Sequence, residues 1–263
     1  MKRYFISDIM SIYTKEMKDF AKDKSMIFMT IMQPLIWLIL MGSGMRGLTD
    51  NMQYANNILD GAPNYLTFLT PGIMIMTALY GGLYGGVTLL SDIRFGYINR
   101  LLSSPISRAS IVIGKIMATV VQTGMQIIFV ILFSLLLGVR YQAGIWGILI
   151  IIIIASFFCI IMASISLILS TIFKTHNAIY SLVSFITLPL MFTSNAMFPN
   201  SSMPEWLNVI TYINPITYAV KPIRELIVSQ NIISNFWINS GIVFVLACIF
   251  MGFTIKRFHA KFI

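Results

Sequence analysis

The stretch that decides the fold is residues 145–173, IWGILIIIIIASFFCIIMASISLILSTIF, which contains no charged residue. About 20 mostly apolar residues in a helix are enough to cross the hydrocarbon core of a bilayer. The unbroken isoleucine run from Ile150 to Ile154 would also suit a buried strand. The apolar stretch is much longer than a strand, however, so the sequence predicts a transmembrane helix.

Five further uncharged segments of similar length accompany this stretch. The six predicted transmembrane helices are residues 26–45, 66–91, 116–139, 145–173, 178–197 and 236–255, and Pro189 is expected to kink the fifth. Apolar residues make up 57% of the chain and charged residues only 10%, against about 25% charged residues in ordinary soluble domains. This composition excludes a soluble globular enzyme and predicts an all-α integral membrane protein.

The charged residues divide unevenly between the two sides of the predicted membrane domain. With the N-terminus in the cytoplasm, the inner basic residues are Lys2, Arg3, Lys15, Lys18, Lys22, Lys24, Arg94, Arg100, Arg108, Lys115, Lys174, Lys256, Arg257 and Lys261, and the outer ones are Arg46, Arg140, Lys221 and Arg224. The acidic residues are Asp8, Glu16, Asp19, Asp23 and Asp92 inside, and Asp50, Asp60, Glu205 and Glu225 outside. The net charge of +9 therefore lies entirely on the inner side. Since basic residues mark cytoplasmic loops, we expect a multi-pass protein of the cell membrane with both termini in the cytoplasm. A nucleic-acid interface is excluded, because no soluble basic domain is present.

Residues 1–25 have apolar residues near helical spacing and lysines elsewhere. This pattern favours an amphipathic helix lying in the cytoplasmic interface of the membrane. The alternative is a basic flank that serves only to orient the first transmembrane helix.

The inner loop at residues 92–110 carries a short amphipathic element. The Ser104–Pro105 pair should end its first helix, because proline disfavours helical geometry in the residue before it. Ser107 is expected to cap the next helix. Such a kinked element suits docking into a groove on a partner protein, and an ordinary topogenic loop is an equally good interpretation.

The outer segment at residues 198–230 contains four of the nine prolines. Ser202 to Glu205 fits a capping box, and Asn214–Pro215 fits the cap and first residue of a second short helix. Together with Trp206 and Tyr218, these residues predict two short helices in the outer leaflet. The alternative is a covering lid loop.

The second predicted transmembrane helix contains paired glycines, which are Gly81, Gly82, Gly85 and Gly86. Small residues at this spacing let a neighbouring helix approach closely, and the same face could also line a conduit. Plain helix packing is the commoner meaning of the pattern.

Several kinds of chemistry have no support in the sequence. No ionisable residue lies in the middle of a predicted span, which argues against ion-coupled transport. The histidines His176 and His259 do not form a catalytic or metal-binding set, and Cys159 and Cys248 lie in apolar runs. Gly114–Lys115 lacks the first glycine and the Ser or Thr of a phosphate-binding loop. We therefore expect no catalytic residue, metal or cofactor in this chain, and energy for uphill transport would enter through a partner.

Two stretches resemble a known family. Residues 96–108, GYINRLLSSPISR, followed by Gly114–Lys115, resemble the first cytoplasmic loop of type-2 ABC exporter permeases. Residues 198–218, from Phe198–Pro199 to Tyr218, resemble the segment before the last transmembrane helix in the same family. The similarity covers essentially the whole chain and is closest to the drug and lipo-oligosaccharide exporter branch.

The resemblance implies a non-catalytic half-transporter of the type V exporter kind, formed by residues 1–263 as a single transmembrane domain. It implies pairing with a second permease chain, as a homodimer or heterodimer, and with two cytosolic ABC ATPase subunits that bind ATP and Mg. The residues matched to ATPase coupling are Arg94, Gly96, Arg100, Pro105 and Arg108, and those of the outer-leaflet segment are Pro204, Trp206, Asn214, Pro215 and Tyr218. Two positions depart from the pattern: Asn99 stands where many relatives have an acid, and Lys221–Pro222 is expected to interrupt the helix that relatives continue to the position of Arg224. The implied function is ATP-driven export of an amphipathic drug, lipid or glycolipid, and the alternative is an ATP-independent channel or facilitator.

Overall fold

The computed structural model describes residues 2–45, 59–173, 175–229 and 234–261, and this part of the chain contains helices but no strand. The helices are α1 (Lys2–Lys22), α2 (Lys24–Gly44), α3 (Tyr65–Arg94), α4 (Tyr97–Leu102), α5 (Arg108–Leu136), α6 (Gly144–Ile172), α7 (His176–Phe192), α8 (Glu205–Thr211), α9 (Pro215–Val228) and α10 (Ser234–Lys261). A 3₁₀ turn at Asn200–Ser202 precedes α8. Arg46 and Asp50, predicted outside, Lys174, predicted inside, and residue 230 of the predicted outer segment lie outside the described residues.

Five of the described helices are long and apolar enough to cross a membrane. They are Lys24–Gly44, Tyr65–Arg94, Arg108–Leu136, Gly144–Ile172 and Asn235–Lys261. The all-helical architecture and these apolar helices agree with the predicted class of integral membrane protein. The count of six spans stays a prediction, because α7 falls short of the length that the other helices reach.

The predicted segment 178–197 is helical only to Phe192, so α7 has 17 residues. A helix of this length extends about 25 Å, less than the hydrocarbon core of about 30 Å. Beyond α7 the backbone carbonyls serve other partners: Arg224 donates to the Asn195 oxygen at 2.6 Å and the Tyr65 hydroxyl donates to the Met197 oxygen at 2.8 Å. These long-range hydrogen bonds hold residues after Thr193 in a turn that sequence periodicity did not reveal.

Helix α3 is the most buried of the membrane-length helices, and its paired glycines face two neighbours. A Cβ on Gly82 would come within 2.6 Å of Met162 Cβ and 2.8 Å of the Cys159 oxygen, both on α6. Gly85 instead faces Thr119 of α5, where the nearest atom would lie at 2.7 Å. The glycines therefore let α3 pack tightly between α5 and α6, as the small-residue pattern predicted.

Side-chain hydroxyls of α6 bind the same part of α3. Ser166 donates to the Leu83 carbonyl and Ser170 donates to the Gly86 carbonyl, and both hydroxyls are buried. Such bonds are available only where small residues bring the two backbones close. The central pair α3–α6 is thus joined by packing and by hydrogen bonds.

Helix α1 lies along the beginning of α5. Ile12 is 2% exposed, and a Cβ added to Gly114 would come within 2.9 Å of its side chain. The α1 helix ends before Asp23, whose carboxylate accepts from the Met26 backbone N–H and caps α2. This backbone hydrogen bond lowers the pKa of the Asp23 carboxyl. The amphipathic helix predicted over residues 1–25 thus packs on the helical domain through its apolar side.

The short helices α8 and α9 correct two expectations about the outer segment. The capping box is wrong, because Ser202 lies in the 3₁₀ turn and Pro204 occupies the cap position of α8 without a side-chain hydrogen bond. The interruption at Lys221–Pro222 is also wrong, because α9 continues through Pro222 to Val228. The buried apolar face and Arg224 hold α9 in place, which outweighs the local preference of proline.

The cap of α9 follows the sequence prediction. The Asn214 side chain accepts from the Ile216 backbone N–H at 2.9 Å, and Pro215 is the first helical residue. The Asn214 amide also donates to the Leu190 carbonyl at 2.7 Å, which ties α9 to the end of α7.

Candidate functional site

The loop between α3 and α5, predicted to lie inside, consists of a glycine turn, a short helix and the capped start of α5. Helix α3 ends at Arg94, and Gly96 follows with a φ of +71°, a left-handed conformation that favours glycine. Helix α4 has only six residues, and Ser107 then caps α5 by accepting from the Ser110 backbone N–H at 3.1 Å. The helix break and the Ser107 cap were both predicted from the sequence.

The predicted coupling residues all lie on this loop but differ in exposure. Arg94, Arg100 and Pro105 are exposed, whereas Gly96 and Arg108 are half-buried. The underside of α4 is anchored through Ile98, which is fully buried in a small apolar cluster with Ile12, Leu89 and Ile111. The loop is therefore anchored to the helices through Ile98, and it exposes Arg94 and Arg100 to solvent.

One residue of this surface was not predicted from the sequence. Phe95 is 82% exposed and lies beside Arg94. Leu101, Leu102 and Ile106 of the same loop are instead half-buried against the apolar cluster. The exposure of Phe95 could have been predicted from its position between Arg94, the last residue of α3, and Gly96, which ends that helix.

A buried cluster of four charges joins α1, α3 and α5 next to this loop. The Lys115 ammonium lies 2.7 Å from Glu16 Oε1 and 2.6 Å from Asp92 Oδ2. The Lys15 ammonium lies 3.0 Å from Glu16 Oε1 and 3.0 Å from Asp92 Oδ1. We call these residues the four-charge cluster. Its two carboxylates and two ammoniums compensate one another.

Two members of the four-charge cluster are buried, and Lys15 and Asp92 are half-buried beside the loop. Lys115 is 3% exposed and Glu16 is 8% exposed. Burial alone would lower the pKa of Lys15, but the carboxylates of Glu16 and Asp92 outweigh it and raise that pKa above its ordinary value. The Lys15 ammonium also lies 4.7 Å from the centre of the Tyr97 ring on α4, a distance suited to a cation–π contact.

This cluster could not be found from sequence spacing. The cluster partners Glu16 and Lys115 are 99 residues apart, and Lys15 and Asp92 are 77 apart. In the sequence Lys115 is an inner basic residue, part of an incomplete phosphate-binding loop and part of the family resemblance, and none of these patterns predicts an ion pair. Helix α5 begins before the predicted segment 116–139, so Lys115 lies on a membrane-length helix. The available signal was Glu16 itself, a carboxylate four residues after Ile12 on the apolar side of α1.

A cavity begins at the four-charge cluster and runs between α2, α3 and α5. Its volume is about 80 Å³, and it is open at one side. Its lining residues are Glu16, Phe20, Met26, Thr30, Gln33, Pro34, Trp37, Ile73, Met76, Thr77, Tyr80, Gly81, Tyr84, Gly85, Thr88, Thr119, Gln122, Thr123, Gln126 and Met191. Gly81 and Gly85 line this cavity, whereas Gly82 and Gly86 only contact α6. Two of the paired glycines thus pack against α6 and two line the cavity, and a role in a conduit stays a prediction.

The end of the molecule that is predicted to lie outside is organised around Arg224. Its guanidinium lies 2.8 Å from Asp60 Oδ2, donates to the Asn195 carbonyl and stacks 3.8 Å from the centre of the Phe68 ring. Burial lowers the pKa of Arg224 to about 10, against the opposing effect of Asp60, so the side chain stays charged near neutral pH. Arg224 therefore fixes α9 to the start of α3 and to the turn after α7.

The predicted outer-leaflet residues separate into two groups. Asn214 is buried and Pro215 half-buried at the start of α9, and the Tyr218 hydroxyl donates to the Tyr212 carbonyl at 2.6 Å. Pro204 and Trp206 are exposed at the start of α8. Only the first group is brought together by packing.

Among the described residues, no group of three or more His, Cys, Asp or Glu side chains is placed to hold a metal ion. Both cysteines are free, with Cys159 buried and Cys248 exposed.

Comparison with known proteins gives a family match over most of the chain. The ABC-2 type transporter family matches residues 7–228. A ycf38 protein of Cyanophora paradoxa, whose name describes a transport permease, is 32% identical over 85% of this chain and 75% of its own length. The ycf38 protein of Pyropia yezoensis is 31% identical over 86% of this chain and 76% of its own length. The daunorubicin resistance ABC transporter permease protein DrrB1 of Streptomyces coeruleorubidus is 23% identical over 88% of this chain and 78% of its own length.

Proposed function

Because the chain belongs to the ABC-2 type transporter family, we propose that it is the membrane permease subunit of an ATP-driven exporter that moves an amphipathic drug, lipid or glycolipid-like compound out of the cell. Relatives that are named for resistance to daunorubicin and doxorubicin support a drug-like or lipid-like cargo. The permease itself is not catalytic, in keeping with its relatives, which are permease subunits. ATP and Mg would be bound by separate cytosolic ATPase subunits.

The observation that carries the proposal is the loop around α4. The loop exposes Arg94, Phe95 and Arg100 to solvent, and Ile98 on its opposite face is buried against the membrane domain. An exposed aromatic residue flanked by arginines suits a groove on a partner protein, since these residue types dominate protein–protein contacts. We assign this surface to docking of the ATPase, with Arg94, Gly96, Arg100, Pro105 and Arg108 as the coupling residues.

The four-charge cluster offers a route from the docking surface to the cavity. A displacement of α4 would act on Lys15 through Tyr97, and Lys15 shares Glu16 and Asp92 with Lys115. These residues belong to α1, α3 and α5, and Glu16 lines the cavity. Rigid connection of this kind is what a loop needs in order to move a membrane domain as a unit.

The assembled transporter would contain a second permease chain and a bilayer around both. Helices α2 and α10 bury few of their residues within the chain, which leaves their apolar faces for lipid or for a second copy. The excess of basic residues on one side supports cytoplasmic termini and six spans in the plasma membrane, with α7 as the fifth.

The proposal is tested with purified permease reconstituted in liposomes together with its ATPase subunit. We expect the double variant Arg100→Ala and Arg108→Ala to lower substrate-stimulated ATP hydrolysis at least tenfold, because two docking contacts are lost. Phe95→Ser should weaken co-purification of the ATPase to a similar extent. The matched control is Arg140→Ala, which removes an exposed arginine outside the docking loop.

Full ATPase stimulation in the double variant would contradict the coupling assignment. Flux of solute through the permease alone, without ATP or ATPase subunit, would instead establish the alternative of a channel or facilitator. Both measurements require normal insertion, which gel filtration of each variant in detergent checks.

A further inference from the structure

We propose that a pocket beside Arg224 binds a small zwitterion, which has a primary ammonium at one end and a phosphate or carboxylate at the other. We call it the outer polar pocket, and its charged and amide-bearing lining residues are Asp60, Asn195, Asn200, Lys221, Arg224 and Glu225. It shares no lining residue with the cavity between α2, α3 and α5. Its occupancy therefore does not depend on the proposed export function.

Five buried polar atoms of the outer polar pocket residues lack a hydrogen-bond partner among the described residues. They are the amide oxygen and nitrogen of Asn195, the amide oxygen of Asn200, Nε of Arg224 and Oε2 of Glu225. Asn195 is 1% exposed and Arg224 is 4% exposed. Because buried polar groups are nearly always satisfied, such a concentration around one pocket indicates a site for a polar occupant.

The unpartnered atoms divide into three acceptors and two donor groups. The acceptors are the oxygens of Asn195, Asn200 and Glu225, which match the three N–H donors of a primary ammonium. The donor groups are the Asn195 amide nitrogen and Arg224 Nε, which suit a phosphate or carboxylate oxygen. A quaternary ammonium has no N–H to donate, so the outer polar pocket should discriminate against it.

The charged groups of the outer polar pocket are equal in number but not all are paired. Arg224 Nη1 lies 2.8 Å from Asp60 Oδ2, whereas the Lys221 ammonium lies 5.6 Å from the centre of the Tyr212 ring. Desolvation raises the pKa of the Glu225 carboxyl, and the positive charge of Lys221 opposes this effect. A zwitterion supplies an opposite charge to both Lys221 and Glu225, whereas a simple cation or anion would be repelled by one of them.

The size of the outer polar pocket suits a head group or a small free molecule. Its volume is about 250 Å³, below the roughly 300 Å³ at which pockets for drug-sized ligands begin. The unpartnered atoms are covered by their neighbours in this conformation. Rotation of the half-buried side chains Asn200 and Glu225 would turn their oxygens into the pocket. Phosphatidylethanolamine of the membrane and free amino acids of the solution both carry the required pair of charges.

The test is isothermal titration calorimetry of the purified full-length permease in maltoside detergent, without ATPase or ATP. The probe is glycerophosphoethanolamine, and glycerophosphocholine has the same two charges but no N–H on its ammonium. Ethanolamine and dimethyl phosphate present the cationic and anionic ends separately.

We expect glycerophosphoethanolamine to bind saturably and about tenfold more tightly than glycerophosphocholine, because trimethylation removes the ammonium hydrogen bonds. Glu225→Gln should weaken this binding about tenfold, since the ammonium loses its carboxylate partner. The matched control is Glu205→Gln, at an exposed position on α8, and it should leave binding unchanged. Unchanged thermal unfolding of Glu225→Gln shows that the variant is folded, and Asn200→Ala provides a second substitution among the acceptors.

Two further probes distinguish the source of the zwitterion. Tighter binding of soluble dihexanoyl-phosphatidylethanolamine than of glycine would assign the outer polar pocket to a membrane lipid. Tighter binding of glycine would assign it to a free amino acid. Either result supports the proposed zwitterion chemistry.

Three results would overturn the proposal. They are the absence of saturable binding by every probe, equal binding of glycerophosphoethanolamine and glycerophosphocholine, and binding that Glu225→Gln does not alter. Tighter binding of ethanolamine or dimethyl phosphate than of glycerophosphoethanolamine would overturn the selection of a zwitterion. Because binding is measured without ATP, these outcomes are separate from failure of the export function, which the ATPase measurement detects.

Discussion

Lys115 has two carboxylate partners and almost no contact with solvent. A buried ion pair contributes little stability relative to apolar residues, yet removing one partner is severe because the other charge stays buried and unpaired. In the four-charge cluster, each ammonium contacts both carboxylates. The cluster therefore acts as one unit, and its loss would weaken the contacts among α1, α3 and α5.

We expect Lys115→Met to lower the free energy of unfolding by about 3–5 kcal/mol, because Glu16 and Asp92 lose their most buried partner. The measurement is denaturant unfolding of the purified protein in mixed micelles. The matched control is Lys18→Met on an exposed position of α1. Adding Glu16→Gln to Lys115→Met should recover part of the loss, since one unpaired charge disappears. Equal stability of Lys115→Met and Lys18→Met would contradict this account.

Residues with local signals were predictable, whereas residues with distant partners were not. Ser107 and the Asn214–Pro215 pair cap their helices as expected, because capping is decided within a few residues of the chain. The importance of Arg224 to the packing of the outer end depends on Asp60, 164 residues away. No periodicity in the sequence records a contact of that separation.

At the scale of helices, the paired glycines of α3 set the distances to its neighbours. The α6 hydroxyls reach the α3 carbonyls only because Gly82 and Gly86 have no side chains. The pattern itself was visible in the sequence. Which pair faces α6 and which pair faces the cavity follows from the three-dimensional arrangement alone.

The pair Gly82 and Gly124 allows a matched test of this packing. We expect Gly82→Ala to destabilise the protein by about 1–3 kcal/mol, because the new methyl group meets backbone atoms of α6 that cannot move aside. Gly124→Ala on α5 has open space around it and should be neutral or stabilising by up to about 1 kcal/mol through helix propensity. Thermal unfolding in detergent compares the two, and equal effects would show that the close α3–α6 approach is unimportant.

Over the whole molecule, hydropathy was sufficient to predict an all-helical membrane protein, and two quoted motifs were sufficient to predict the family. The length of α7 was overestimated, because hydrogen bonds from Tyr65 and Arg224 hold the chain in a turn after Phe192. The cavity was invisible in the sequence for a related reason. Its polar residues come from α2, α3 and α5, and only packing places them around one space.

The predicted orientation is tested by labelling introduced cysteines in intact cells. In a Cys248→Ser background, Glu205→Cys should react with an impermeant maleimide, because α8 is predicted to lie outside. Asn99→Cys on α4 should react only after the membrane is permeabilised. Both positions are exposed in the structure, so burial does not explain a difference. Labelling of Asn99→Cys in intact cells would show that the topology is the reverse of the predicted one. Helix α4 would then lie on the side of the membrane where ATP is not available.

The close pairing of α3 with α6 also constrains biogenesis. A nascent chain delivers α3 to the membrane first, and translation must pass from Arg94 to Gly144 before α6 begins to appear. During that interval the glycine face of α3 and the carbonyls of Leu83 and Gly86 are without the serines that later bind them. An insertion factor that shields small-residue faces would protect this intermediate, and a chain truncated after α5 would expose a surface competent to pair with the wrong helix.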